Sequence, residues 1–137
     1  MIGLKRTANR RASLYGVAYS GILVHNSSGS PVPQLTPGPP GWMLGEAIRH
    51  LKSLPRDAAR RADAFEALAG QIERHSGGAW NAARGKGTDG SIVFLGRQGE
   101  GLVVAPDGRI FRGALGSGIN VAPNGLRPDF NALTPLD

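Results

Sequence analysis

Four side chains in the second half of the chain could together carry out acid–base and phosphate chemistry: His75, Glu100, Arg109 and Arg112. An imidazole can give and take protons near neutral pH, a carboxylate can act as a base, and a guanidinium binds oxyanions through paired N–H donors. Side chains three residues apart on a strand lie on opposite faces. Only one of the two arginines can therefore share a cleft with Glu100, and the other would be structural.

A second set of side chains could form the wall of such a cleft. The segment 79–90 has the composition of a flexible basic loop. The segment 96–100, GRQGE, is a predicted turn that follows the apolar run 91–95. Together they supply an aromatic face, several cations and a hydroxyl as substrate-binding groups: Trp80, Arg84, Lys86, Thr88 and Arg97. Two alternatives stay open at this stage, since Trp80 could instead cover the core and His75 could instead cap a helix.

The elements that must position these groups follow from the apolar pattern. The runs 91–95, 101–105 and 109–111 are separated by GRQGE and PDG, and an Asp-Gly pair between such runs is a strong hairpin signal. The segment 119–121 could add a fourth strand. Apolar residues at helical spacing predict helices over 42–54 and 56–75. We therefore expect an α+β fold in which two N-terminal helices pack on a small antiparallel β-meander of three to four strands.

Composition limits the chemistry. The chain has 137 residues and no cysteine, which suits one modest domain and excludes disulfides, thiolate metal sites and a cysteine nucleophile. The three histidines lack metal-ligand spacing, so neither a metal nor a cofactor is expected. The net charge is +6, but residues 1–30 carry four basic and no acidic side chains. Overall basicity is therefore a weak argument that the domain itself binds nucleic acid.

The N-terminal region divides the chain. The apolar run at 14–24 is too short to cross a bilayer, so we expect no membrane-spanning segment. A signal peptide is the alternative, but polar residues and glycines interrupt the run and no small-x-small cleavage site follows it. The segment 27–41 contains five prolines and three glycines and is expected to be an extended, solvated linker. The expected divisions are 1–26, a linker at 27–41 and a domain at 42–137.

Residues 21–27, Gly-Ile-Leu-Val-His-Asn-Ser, resemble the last strand of a Hint-type self-cleaving domain. In that chemistry an asparagine amide attacks its own peptide carbonyl, and a preceding histidine assists proton transfer. The resemblance assigns these roles to Asn26 and His25, and residues 1–26 would be a remnant of that domain. The alternative is an ordinary strand with a polar end.

The order of a Hint-like tail, a proline-rich linker and a small α-then-β module resembles the C-terminus of a bacterial polymorphic toxin. The module also resembles the barnase/EndoU-like ribonucleases. These resemblances imply a contact-dependent inhibition toxin that is secreted within a larger carrier and acts in the target-cell cytoplasm. They further imply a metal-independent ribonuclease that cleaves tRNA or rRNA and is blocked by a cognate immunity protein. The chain departs from the EndoU pattern, because no second histidine follows His75.

In the ribonuclease hypothesis, His75 and Glu100 share the proton transfers, and an arginine holds the phosphate. Two alternatives remain open. The same acidic, basic and aromatic residues would suit a toxin that consumes NAD, either a glycohydrolase or an ADP-ribosyltransferase. The module could also be a non-enzymatic interaction domain.

Overall fold

The computed structural model describes residues 24–25 and 31–137. Strand β1 (Val24–His25) pairs antiparallel with strand β2 (Pro31–Val32), and His25 lies opposite Pro31. Asn26 and most of the predicted 1–26 remnant lie outside the described residues, so self-cleavage at that position stays a prediction.

Two helices follow these strands. Helix α1 (Pro40–Ser53) begins with a proline, whose fixed φ suits a first helical position, and ends ahead of Pro55. Helix α2 (Ala58–His75) begins after Asp57, whose carboxylate accepts a hydrogen bond from the backbone N–H of Arg60 at 2.9 Å. The two helices pack through their apolar stripes. Within the described residues, neither is long and apolar enough to span a bilayer.

The rest of the chain forms a curled mixed sheet. Its strands are β3 (Ala82–Lys86), β4 (Ile92–Gly96), β5 (Glu100–Val104), β6 (Ile110–Leu115), β7 (Gly118–Ala122), β8 (Gly125–Pro128) and β9 (Thr134–Pro135). The order is β3-β4-β5-β6-β7-β8, with β9 beside β6, and every pairing is antiparallel except β6 with β7. The α+β class is confirmed. The prediction of three to four strands is wrong, because this sheet has seven strands within residues 31–137.

The sheet curls far enough for its two ends to meet. Gly87, just after β3, bridges to Leu126 of β8, and the backbone N–H of Thr88 donates to the carbonyl of Leu126 at 2.9 Å. One face of the sheet packs on the helices, while the other encloses a second apolar cluster made of Val93, Val103, Ala105, Phe111, Ile119 and Leu133. The helices therefore cover only one side of the sheet.

Residues 32–37, which we call the strap, pack against the helices. Val32 and Leu35 are buried in the helix-side core. The buried side-chain amide of Gln71 accepts from the N–H of Leu35 and donates to the carbonyl of Pro33, both at 2.8 Å. The segment predicted as a solvated linker is therefore extended, but its strap belongs to the packed core.

Arg61 joins three parts of the fold. Its side chain is only 2% exposed, and it donates to the carbonyl of Leu54 between the helices at 2.9 Å. It also donates to the carbonyl of Gly108 at 2.8 Å and to a carboxylate oxygen of Asp137 at 2.7 Å. The other Asp137 oxygen accepts from the N–H of Ile110 at 3.0 Å. The end of the described chain is thereby held against both helices and the sheet.

Replacing Asp137 with alanine should lower the free energy of unfolding at pH 7 by about 3 kcal/mol, because the buried Arg61 guanidinium loses its countercharge. Partial burial alone would raise the pKa of Asp137, but hydrogen bonds from Arg61 and Ile110 and the charges of Arg61 and Arg56 hold it below 3.8. The stabilisation is therefore complete above about pH 3.8 and is lost as the pH falls through the lower folded-state pKa.

Urea unfolding from acid to neutral pH measures both the loss of stability in Asp137→Ala and its dependence on pH. Glu73→Ala, at an exposed position on α2, is the control. Equal losses of stability in the two variants at pH 7 would contradict the role of Asp137.

Candidate functional site

The helix-facing side of the sheet is uncovered at one end and forms a cleft there. We call it the Trp80 cleft. Its rim carries Trp80, Glu100 and Arg112. Its floor is apolar and comes from both helices and the sheet: Leu44, Ile48, Phe65, Ala82, Phe94 and Leu102. Three of the side chains that sequence predicted as functional are therefore in one place.

Strand register explains why Glu100 and Arg112 meet. Leu102 of β5 lies opposite Arg112 of β6, and Glu100 lies two residues before Leu102 on the same face of β5. Glu100 and Arg112 are thus diagonal neighbours on adjacent strands, a spacing of about 7 Å. Leu102, on the cleft floor, is buried against the helices. Glu100 and Arg112 share its face, so both side chains are on the helix-facing side of the sheet.

The β4–β5 turn positions the Glu100 carboxylate. One carboxylate oxygen accepts a hydrogen bond from the backbone N–H of Gln98 at 3.1 Å. The carboxylate lies against Gly96, where any Cβ would overlap it. Gly99 closes the turn with φ +90°, a conformation that glycine adopts at little cost. The Glu100 carboxylate therefore occupies space that is open because Gly96 has no side chain.

Trp80 is positioned by the end of α2. Its backbone N–H donates to the hydroxyl of Ser76 at 3.1 Å, and that hydroxyl donates to the carbonyl of Glu73 at 3.0 Å. The indole packs partly against the helix-side core and partly lines the cleft, and a substrate-binding role for it stays a prediction. The cleft encloses only about 30 Å³, room for about one water molecule. A large ligand would lie across it rather than enter it.

Arg84 faces the helices and is paired there. Its guanidinium contacts Asp63 at 2.8 Å and Glu66 at 2.9 Å, which connects β3 to α2. Burial alone would lower the pKa of Arg84, but the hydrogen bonds and charges of these two carboxylates raise it above its ordinary value. The structure therefore gives Arg84 a connecting position outside the Trp80 cleft.

The other predicted groups also lie away from this cleft. Lys86 is exposed at the far end of β3, and Thr88 is in the turn that closes the sheet. Arg97 is exposed in the β4–β5 turn, one residue beyond Gly96. Arg109 stacks over the Phe111 ring, with its guanidinium carbon 5.0 Å from the ring centre. Arg109 and Arg112 thus belong to opposite faces of the sheet.

His75 lines a different cleft, formed by the strap and the end of α2. We call it the His75 cleft. Its other lining residues are Gln34, Leu35, Pro37, Met43, Gln71 and Arg74. It encloses about 240 Å³ and is the roomier of the two clefts. The structure assigns His75 and Glu100 to different clefts.

Metal ligands and known relatives add no further constraint. Among residues 24–25 and 31–137, no three His, Asp or Glu side chains are grouped so that they could hold a metal ion. No protein-family model matches the chain, and neither does any curated protein or solved structure. The class that the fold and the cleft define is an α+β domain with one carboxylate and one guanidinium over an apolar floor.

Sequence reasoning missed three features of the two clefts. Gly96 carried a usable signal, because a glycine inside a strand often marks a close approach. The floor residues Leu44 and Ile48 were predicted as helix stripe positions, but the uncovered sheet end beside them follows from tertiary packing. Gln71 gave no local signal, since its partners are 36 and 38 residues away.

Gly96→Ala should move the Glu100 carboxylate out of the Trp80 cleft while the sheet stays folded, because the new methyl group takes its space. The Gln98 N–H then loses its acceptor. A crystal structure and the exchange rate of the Gln98 amide proton measure the change. The control is Gly85→Ala in β3, where an added Cβ would meet only ordinary contacts at 3.8 Å. An unmoved carboxylate in Gly96→Ala would contradict the positioning role.

Proposed function

We propose that this domain is a metal-independent ribonuclease and the toxic module of a bacterial antagonism system, with the Trp80 cleft as its active site. The observation that carries the proposal is the shared cleft of Glu100, Arg112 and Trp80. A carboxylate, a guanidinium and an aromatic ring can supply a base, a phosphate contact and a stacking surface.

The proposed reaction is internal transfer of the phosphoryl group in RNA. Glu100 takes the proton of a ribose 2′-hydroxyl as its oxygen forms a bond to phosphorus. The bond from phosphorus to the 5′-oxygen breaks, which leaves a 2′,3′-cyclic phosphate. The 5′-oxygen takes a proton from water, and Glu100 returns its own proton to solvent. The Trp80 cleft has no second proton carrier among its lining residues.

Arg112 acts on the charge that builds on the phosphate oxygens. Two of its five N–H donors can contact two of these oxygens at once in a planar pair, a geometry that a lysine ammonium lacks. Of the arginines that sequence assigned to phosphate binding, Arg112 is the one in this cleft. Arg84 is held by two carboxylates and Arg109 stacks on Phe111. Trp80 would stack on a base of the strand that lies across the shallow cleft.

The biological setting is part of the same proposal. Its support is the order of parts in the chain, a Hint-like segment ahead of a small C-terminal module. Such a toxin would reach the target-cell cytoplasm within a secreted carrier, and a cognate immunity protein would block it in the producing cell. RNA, either tRNA or rRNA, is the proposed substrate.

The ribonuclease prediction is tested with the full chain, tRNA and single-stranded RNA in the presence of EDTA. We expect cleavage with 2′,3′-cyclic phosphate ends, identified by mass spectrometry, and no cleavage where the reacting ribose is 2′-deoxy. Glu100→Gln should lower kcat/KM by about 10²–10⁴-fold because it removes the base. Arg112→Lys should lower it by about 10²-fold because it loses the paired contact.

Matched controls are Glu73→Gln and Arg109→Lys, which change exposed or opposite-face groups of the same types and should leave the rate near wild type. Intact RNA at high protein concentration would reject the proposal. Loss of NAD with intact RNA would favour the NAD-consuming alternative, and growth of cells that express the domain would favour an interaction module.

A further inference from the structure

The His75 cleft has fixed walls. The buried amide of Gln71 holds the strap at Leu35 and Pro33, and the Glu46 carboxylate accepts from the N–H of Thr36 at 3.0 Å. These hydrogen bonds tie the strap to α2 through Gln71 and to α1 through Glu46. The cleft between the strap and the end of α2 encloses about 240 Å³.

The lining of this cleft fits an anion with an apolar part. Arg74 and His75 lie at its edge on the last turn of α2, and the lining residues within the described part of the chain include no carboxylate. Leu35, Pro37 and Met43 give it apolar surface, while the amides of Gln34 and Gln71 add polar groups. A nucleotide has this combination of phosphate, ribose and a flat base.

The His75 cleft is beside the proposed active site. Met43 lines the His75 cleft, and the next residue, Leu44, lines the Trp80 cleft. Consecutive Cα atoms are about 3.8 Å apart, so both clefts adjoin the same turn of α1. Consecutive side chains leave a helix about 100° apart, so the two clefts lie on two sides of α1, and an RNA strand would pass around this turn to contact both.

We propose that the His75 cleft is a nucleotide subsite of the ribonuclease. It holds one nucleotide of the same RNA strand that is cleaved in the Trp80 cleft, with that nucleotide's phosphate on Arg74 and His75. His75 binds substrate in this proposal and takes no part in bond cleavage. The inference rests on the proposed function for its choice of RNA as the ligand.

The first test measures cleavage by the full chain as a function of substrate length. His75→Gln and Arg74→Gln should each lower kcat/KM for an oligoribonucleotide by about tenfold, the loss of one charged hydrogen bond. Neither should change cleavage of a dinucleoside monophosphate, which is too short to fill both clefts. Arg60→Gln, at an exposed position near the start of α2, is the control. His75 is exposed, so its variant keeps the test valid if Arg74→Gln folds poorly.

The second test measures binding without cleavage. Adenosine and cytidine 5′-monophosphates, with ribose 5-phosphate as the baseless probe, are titrated into the full chain and followed by NMR. We expect the mononucleotides to shift the NMR signals of the Gln34 and Gln71 side-chain amides. In His75→Gln the Kd read from these shifts should be about tenfold higher. Ribose 5-phosphate should bind more weakly because it lacks the base.

The outcomes separate the two proposals. Mononucleotide binding at Gln34 and Gln71 by a chain that leaves RNA intact would reject the ribonuclease and keep the His75 cleft only as a nucleotide-binding site. If His75→Gln and Arg74→Gln change cleavage of neither the long nor the short substrate, the subsite is overturned and the ribonuclease is kept. Intact RNA together with unshifted amides would overturn both.

Discussion

The buried guanidinium of Arg61 is the interaction on which the rest of the fold depends. A charge removed from water is costly unless its partners are in place, and here they come from the helix connection, the β5–β6 turn and Asp137. The turn itself must come close, and Gly108 allows this because any Cβ there would overlap the backbone of Arg56. One side chain therefore sets the position of both helices on the sheet, and Asp137 makes the C-terminal segment part of that packing.

This attachment explains where the candidate site lies. Arg61 holds the helix pair to the sheet at the β5–β6 turn, and Arg84 holds α2 to β3 through Asp63 and Glu66. At the opposite end of β5 and β6, two side chains on the helix-facing side reach solvent, one half-buried and one exposed. Glu100 and Arg112 are in that region. The same register that buries Leu102 under the helices presents these two groups above it, so core packing and the position of the site have one cause.

Sequence predicted the parts of the fold that local patterns determine. The α2 stripe and the Pro106–Gly108 turn follow from periodicity and turn chemistry, and the side-chain period of two separates Arg109 from Arg112. Strand β3 was missed because its sequence, AARGK, has no alternation, and its partners are β4 and two carboxylates of α2. The partner of Arg61 could not be predicted from local sequence, because Asp137 is 76 residues distant. For the candidate site, strand parity was informative because it separates the two arginines, whereas the cleft that His75 lines depends on how the strap packs beside α2.

The separation of His75 from Glu100 limits the chemistry that the Trp80 cleft can perform. An in-line displacement at phosphorus has its attacking and leaving oxygens on opposite sides, so one carboxylate cannot serve both. In the proposed reaction Glu100 is on the attacking side, so the leaving oxygen would take its proton from solvent, which the shallow cleft would admit. The rate would then depend mainly on how well Arg112 stabilises charge on the phosphate and on how firmly the strand is held. Nucleotide contacts outside the reacting centre become more valuable in such a site, because positioning must supply what a second proton carrier would otherwise provide. The roomy, cationic cleft on the other side of α1 fits that requirement.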